Sequence, residues 1–364
     1  MPTIETTTFS ESRLRHFCYQ IFKAIDLSDA HAELAADVLL SADLRGIDSH
    51  GLARLSGYVR LYEAKRVNPK PHFTIQSDAL SACTLNADAA LGLVSAPFAM
   101  DIAIQKAHQT GIGVVAVQNS NHFGIAAYHA LKAIDHQMIG FAMTNASPLV
   151  APTFSSEKLL GTNPMCYVFP SKKYPPVVFD MSTSAASNGK LQVAERLGKP
   201  IAEGLLIDQH GRDTTDAADL KTGGAMLGLG SFAQTSSHKG YGFGAIVDIL
   251  CGVVSGANFA SWVPPFVDYL GVEQKLVGKG IGHFVGAMRI DAFRPESDYF
   301  EAIDIWIERL KSAKRIDEAQ KVIIHGEPEH ECFNYRLQNG IPLVGSVVED
   351  LRKLGQKFGV QLDF

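Results

Sequence analysis

Apolar positions along this chain recur first at helical spacing and then in alternation. Between residues 9 and 66, Ala35, Val38, Leu39 and Ala42 line one helical face, and Leu52, Leu55 and Val59 line another. This predicts a helical N-terminal region. Gly46 stops one helix, the turn Gly46-Ile47-Asp48-Ser49-His50-Gly51 feeds the next, and Pro69 and Pro71 close the region. From 80 to 150 the pattern alternates: a strand over 80–85, a helix over 94–109 with Pro97 in its first turn, strands over 112–117 and 138–144, and a helix over 125–134. Read by residues alone, this alternation leans toward a parallel α/β layer. Strands follow at 165–169 and 177–181, then a helix over 186–198 and a glycine-started helix over 241–254. A strand over 284–290, a helix over 298–314 and the turn Gly326-Glu327-Pro328 before another helix complete the pattern.

Length and composition narrow the class. The 364 residues exceed what one core usually holds, so two or three lobes are expected. With 46% hydrophobic and 20% charged residues the chain reads as globular rather than disordered. A net charge of -5 without a basic stripe gives a nucleic-acid partner no electrostatic support. Apolar runs are broken by Gly, Asp or Lys before membrane-spanning length, so no membrane partner is expected. The start, Met1-Pro2-Thr3-Ile4-Glu5, lacks the basic and apolar regions of a secretion signal. Cys18, Cys83, Cys166, Cys251 and Cys332 are scattered, as reduced cytoplasmic thiols would be. Thirteen histidines without an HExxH pattern predict no metal site.

Three segments could carry chemistry. In Ser49-His50-Gly51 with Arg54, a histidine titrates in the range of a general base, and an arginine can grip a carboxylate through two parallel hydrogen bonds. The alternative is a capping Ser49, a surface His50 and a solvated Arg54. Asn119-Ser120-Asn121-His122-Phe123-Gly124 lies between a strand and a helix, where ligand sites are common; the alternative is a helix cap from Ser120 or Asn121. Asp180, in Phe179-Asp180-Met181-Ser182, ends a strand and could orient a histidine or cap the next helix. The glycines of Gly240-Tyr241-Gly242-Phe243-Gly244 have the wrong spacing for a Rossmann fingerprint and follow a polar run, not an apolar strand. Free N–H groups at that helix start, with Lys239 beside them, could still hold a pyrophosphate; a solvated Lys239 before a buried helix is the plainer reading.

Taken in order, Asp48-Ser49-His50-Gly51-Leu52-Ala53-Arg54, Ser120-Asn121-His122-Phe123-Gly124, Gly161-Thr162-Asn163-Pro164, Phe179-Asp180-Met181-Ser182-Thr183-Ser184, His238-Lys239-Gly240-Tyr241-Gly242 and Gly326-Glu327-Pro328-Glu329 resemble the malate/L-lactate dehydrogenase family, which is unrelated to the Rossmann enzymes. Ureidoglycolate and sulfolactate dehydrogenases are among its relatives. The resemblance implies an α+β fold with a mostly antiparallel cofactor-binding sheet, and this replaces the parallel layer. It implies a helical region over 1–75 packing with a C-terminal segment over 301–364, an α/β-like segment over 76–150 and a cofactor-binding domain over 151–300. It further implies a homodimer, NAD or NADP as cofactor, and a small 2-hydroxy or 2-oxo acid such as malate or lactate as substrate. A cyclic imine acid reductase and a non-catalytic binding protein are the alternatives. Carried over by position, His50 looks like the proton donor or acceptor, Asp180 like its partner and His122 like a competing base. Ser49 and Arg54 look like substrate ligands. Thr144, Asn145, Ser147, Thr162, Asn163, Pro164, Asp180, Met181, Ser182, His238, Lys239, Gly240, Gly326, Glu327 and Pro328 look like cofactor contacts.

Overall fold

The computed structural model describes residues 6–196, 198–271 and 276–361. Residues 1–5, 197, 272–275 and 362–364, parts of the regions delimited above, lie outside the described residues. The chain opens with β1 (Thr6–Phe9), α1 (Glu11–Ala24), α2 (Asp29–Leu44) and α3 (Leu55–Glu63). Then come β2 (Thr74–Asp78), β3 (Ala82–Asn86), α4 (Gly92–Thr110), β4 (Ile112–Ser120), α5 (Ala126–Leu131) and β5 (Met138–Thr144). β6 (Met165–Phe169), β7 (Val177–Met181) and α6 (Asn188–Arg196) lead to the short strands β8 (Leu206–Ile207), β9 (Asp213–Thr214) and β10 (Ala225–Met226). α7 (Ser237–Asp248), β11 (Ile281–Arg289), α8 (Glu296–Lys311), α9 (Glu327–Asn339), β12 (Ile341–Val344) and α10 (Gly345–Phe358) complete it.

The fold is α+β, as the resemblance implied. Seven strands form one sheet in the order β2-β3-β4-β11-β5-β6-β7. Only β3 and β4 run parallel, because α4 carries the chain back between them; every other pairing in this sheet is antiparallel. α4 and α5 cover one face. Ala96, Ala99, Ala103 and Ala107 of α4 pack with Val115, Val117 and Val285, and these small side chains let the helix sit close to the strands. The other face holds Phe141, Met143 and Met165 against Val247 and Cys251.

The N-terminal helices bury Leu14, Phe17, Ile21, Phe22, Leu39 and Tyr58 together with Leu351 and Leu354 of α10. β1 pairs with β12, so α10 and the N-terminal helices share one helical lobe. Each large aliphatic side chain buried there contributes about 1.5–3 kcal/mol.

The pattern reading names no strand at β1, β2, β8, β9, β10 or β12 and no helix at α10. β2 is almost wholly exposed and offers no alternation to read. α7 begins at Ser237 rather than at 241, because its first turn, Ser237-His238-Lys239-Gly240, carries no apolar side chain. It continues into a π-turn over Ile249–Val254.

Candidate active site

The turn between α2 and α3 is organised around a buried carboxylate. Asp43, in the last turn of α2, is enclosed and its Oδ2 accepts from the Leu52 amide at 2.8 Å. Burial raises its carboxyl well above the usual range. Gly51 lies so close that a Cβ there would stand 2.1 Å from Asp43 Oδ2, so the turn tolerates no side chain at this position. From α9, Arg336 donates to the Asp43 carbonyl at 2.5 Å and pairs with Asp48. Ser49 is therefore free of capping: Asp43 does that work, and Ser49 Oγ lies 2.9 Å from His50 Nδ1. Arg54 Nε donates to the Ser49 carbonyl at 2.6 Å.

His122 reaches the same place from the loop between β4 and α5. Asn121 does not cap α5; its amide nitrogen lies 3.1–3.2 Å from the carbonyls of Arg66, Ala89 and Ala90 and pins the loop. The His122 ring lies parallel to that of His50, with centroids 5.9 Å apart at 16°. Its Nδ1 accepts from the Gly124 amide at 3.3 Å and lies 2.7 Å from the Tyr58 hydroxyl, and its other face stacks on Phe266 at 4.4 Å.

Both imidazoles keep some surface, yet each is crowded by protein. Burial, with the Arg54 charge adding to it, pushes His50 down to about 4. Burial, His50 and Arg54 hold His122 well below the ordinary value. Both rings are thus neutral at physiological pH, the form a base requires.

The expected pairing of Asp180 with His50 is not what the structure contains. Among the described residues no hydrogen bond joins them. Asp180 stands at the end of β7 and its Oδ2 accepts from the Ala127 amide at 2.9 Å, in the first turn of α5, where unpaired helix N–H groups attract a carboxylate. Burial raises it to about 6.

Asp180 lines a cavity of about 430 Å³ with Met181, Gly326, Pro328, Glu329, His325, Ile47 and Arg45. That volume suits a small-molecule site. Arg45 has a buried Nε without a hydrogen-bond partner among the described residues, and its guanidinium lies 5.4 Å from the centre of the Phe333 ring. Gly326, at φ +92°, approaches β7 so closely that a Cβ would lie 2.7 Å from Val178 Cβ. Val178 N donates to the His325 carbonyl at 3.0 Å, which seats the 324–328 turn beside Asp180.

The remaining expected cofactor residues divide. Asn163 Nδ2 donates to the Gly244 carbonyl at 2.9 Å, the Thr162 carbonyl accepts from Thr183 N at 2.9 Å, and the Pro164 carbonyl accepts from Thr144 N at 3.3 Å. Residues 162–164, the loop after Ser182 and α7 therefore meet. His238 and Lys239 are exposed in the first turn of α7, and Gly240 is buried. The Lys239 amide is not free for an anion, because it donates to the Ser236 carbonyl at 3.0 Å. Ser147 Oγ accepts from Phe266 N at 2.9 Å, and Asn145 Oδ1 accepts from Gly282 N at 3.0 Å. Glu327 turns away from the cavity: it pairs with Lys311 and accepts from the Ile324 amide at 3.0 Å.

Sequence reasoning missed Asp43, Arg45, Tyr58 and Phe266. An acid on the apolar face of α2 was a usable signal for Asp43; Phe266, 144 positions after His122, offered none. No group of three or more His, Cys, Asp or Glu suited to a metal exists among the described residues, and no helix there is long and apolar enough to cross a membrane.

Comparison with known proteins agrees with this arrangement. The family model for malate/L-lactate dehydrogenase matches residues 9–352. Malate dehydrogenase of Pyrococcus horikoshii is 38% identical over 352 residues, covering 96% of this chain and 95% of its own. Malate/(S)-sulfolactate dehydrogenase of Methanothermus fervidus is 33% identical, covering 96% and 97%. The crystal structure of malate dehydrogenase from Entamoeba histolytica superposes with a TM-score of 0.92 at 29% identity, covering 99% of this chain and 100% of that one. With matching sequence and fold over nearly its whole length, the chain belongs to the malate/L-lactate dehydrogenase family, a family of 2-hydroxy acid dehydrogenases.

Proposed function

We propose that this protein interconverts a small 2-hydroxy acid and its 2-oxo acid with NAD or NADP. The observation that carries the reading is the convergence of His50, His122 and Arg54, from two distant segments, on one place. The fit for a dinucleotide rests on the cavity lined by Asp180, Met181, Gly326 and Pro328, with Arg45 as an under-bonded cation beside it. When bound, the nicotinamide supplies the hydride acceptor or donor.

The chain's own residues do the rest. Arg54 holds the substrate carboxylate. Ser49 and His50 bind the oxygen on C2. His122 is the proposed proton acceptor: the Tyr58 hydroxyl and the Gly124 amide engage its Nδ1 and Phe266 fixes its plane. The stacked rings favour one positive charge between them, not two. This reading moves the base from His50, the leading sequence expectation, to His122, which has more orienting contacts. A second copy of the chain is the proposed partner. Support comes from the exposed apolar stripe of Tyr241, Phe243, Ile246, Ile249 and Val253, whose burial would favour association.

The test is an absorbance assay of reduced nicotinamide, with both cofactors, against oxaloacetate, pyruvate, sulfopyruvate and a cyclic imine acid. Turnover of one of the 2-oxo acids is expected. Turnover of the imine alone would replace the substrate class, and no cofactor binding by fluorescence titration would remove the enzymatic reading.

A further inference from the structure

Behind the His122 loop stands a fully enclosed histidine that the mechanism above does not use. His283, on β11, has no exposed surface and lies between β4 and β5 at the centre of the sheet. Its Nε2 is 2.7 Å from Ser120 Oγ, and its Nδ1 is 2.8 Å from Thr144 Oγ1. Ser120 Oγ lies 2.7 Å from Ser95 Oγ of α4.

The proton positions follow from donor counting. Thr144 Oγ1 has the carbonyls of Asn145 and Gly282 at 2.9 and 3.0 Å, and its single proton goes to them. Its oxygen therefore accepts from Nδ1–H. A neutral ring protonated at Nδ1 then takes the Ser120 hydroxyl proton at Nε2 and Ser120 accepts from Ser95, with the Asn121 carbonyl, 3.4 Å from Ser120 Oγ, as the competing acceptor. Both ring nitrogens are thereby engaged by buried hydroxyls. Burial favours this neutral form, with His283 pushed down to about 3.

The same ring also stacks on Phe123, with centroids 4.8 Å apart at 19°. Ser120 and Phe123 lie on either side of His122. Where β11 meets β4 the register shifts between Ile281 and His283, an irregularity of the kind that re-aims side chains beside active sites.

We infer that His283 is a positioning residue for His122, holding the 120–123 loop from behind through Ser120 at its edge and Phe123 on its face. The inference rests on the reading that His122 moves the proton. Three variants test it. Ser120→Ala removes one link with almost no change of volume, His283→Leu removes all polar links, and His283→Gln restores some. Thermal midpoints establish folding. Imidazole nitrogen spectra of labelled protein, with the His122 signal assigned from His122→Ala, report ring state without any turnover.

Ser120→Ala is expected to fold, to lower kcat about tenfold with the cofactor KM within about twofold, and to move the His122 signals. His283→Gln should recover part of the kcat lost in His283→Leu. Unmoved His122 signals in folded Ser120→Ala would overturn the inference. Should His283→Leu not fold, Ser120→Ala carries the test alone. A parent protein without hydride transfer would sink the functional reading, while the ring spectra still decide whether His283 orients His122.

Discussion

The two ends of the candidate site are built differently. At the imidazole end nearly every polar group is engaged: Asp43 with Leu52, Ser49 with His50, Tyr58 with His122, and Asn121 with three carbonyls. At the cavity end, among the described residues, Asp180 accepts from one backbone amide and Arg45 keeps a buried Nε with no hydrogen-bond partner. The first end is held in geometry before a substrate arrives, as proton transfer requires. The second has spare hydrogen-bonding capacity that a polar ligand would satisfy. Substitutions at the imidazole end should therefore act on turnover, and those at the cavity on cofactor binding.

The largest effect is expected from His122→Ala. Losing a positioned proton acceptor lowers kcat by about 10²–10⁴-fold while cofactor binding stays near the parent value. An equal loss in His50→Ala, with His122→Ala near normal, would return the base to His50. Arg54→Lys exchanges a planar fork for a point charge and should raise the KM for the acid about 10- to 100-fold, measured by steady-state kinetics. An unchanged KM would place the carboxylate elsewhere.

Tyr58→Phe removes one hydrogen bond from His122 Nδ1 and should lower kcat about tenfold, with little change in either KM. The smallest effects are in pH dependence. With His50 near 4 and His122 held well below its ordinary value by burial, kcat/KM for oxidation should stay level from neutral pH down to about pH 5 and fall at lower pH, as the bases become protonated. Asp180, raised to about 6, is a carboxylate above that pH and increasingly a neutral acid below it. If it accepts hydrogen bonds from the cofactor, affinity should drop a few-fold as pH falls through 6. Asp180→Asn should flatten that titration without changing kcat, a separation that would confirm the two ends as distinct.

Much of the scaffold was legible from local pattern. The strands at 138–144, 165–169 and 177–181 lie where β-branched and aromatic runs put them. The Ser49-His50 turn was visible because glycines bracket it. Asp180 misled, because a carboxylate at a strand end serves a histidine or a helix N-terminus equally well on paper. In the folded chain the amide of Ala127 was the nearer partner. Glu327 misled likewise, since its ion pair with Lys311 joins the end of α8 to the start of α9, residues 16 positions apart.

The order of residues by itself determined the elements, the turn that presents His50 and the types of group available for acid–base chemistry, because these depend on neighbours within a few positions. Only the tertiary structure decided which groups meet. His50 and His122 stack, Phe266 covers His122, and Asp43 rather than Ser49 holds the turn, because closing the helical lobe and the central strands of the sheet brings distant segments into van der Waals and hydrogen-bond range. Burial then set the protonation states, which no local pattern encodes.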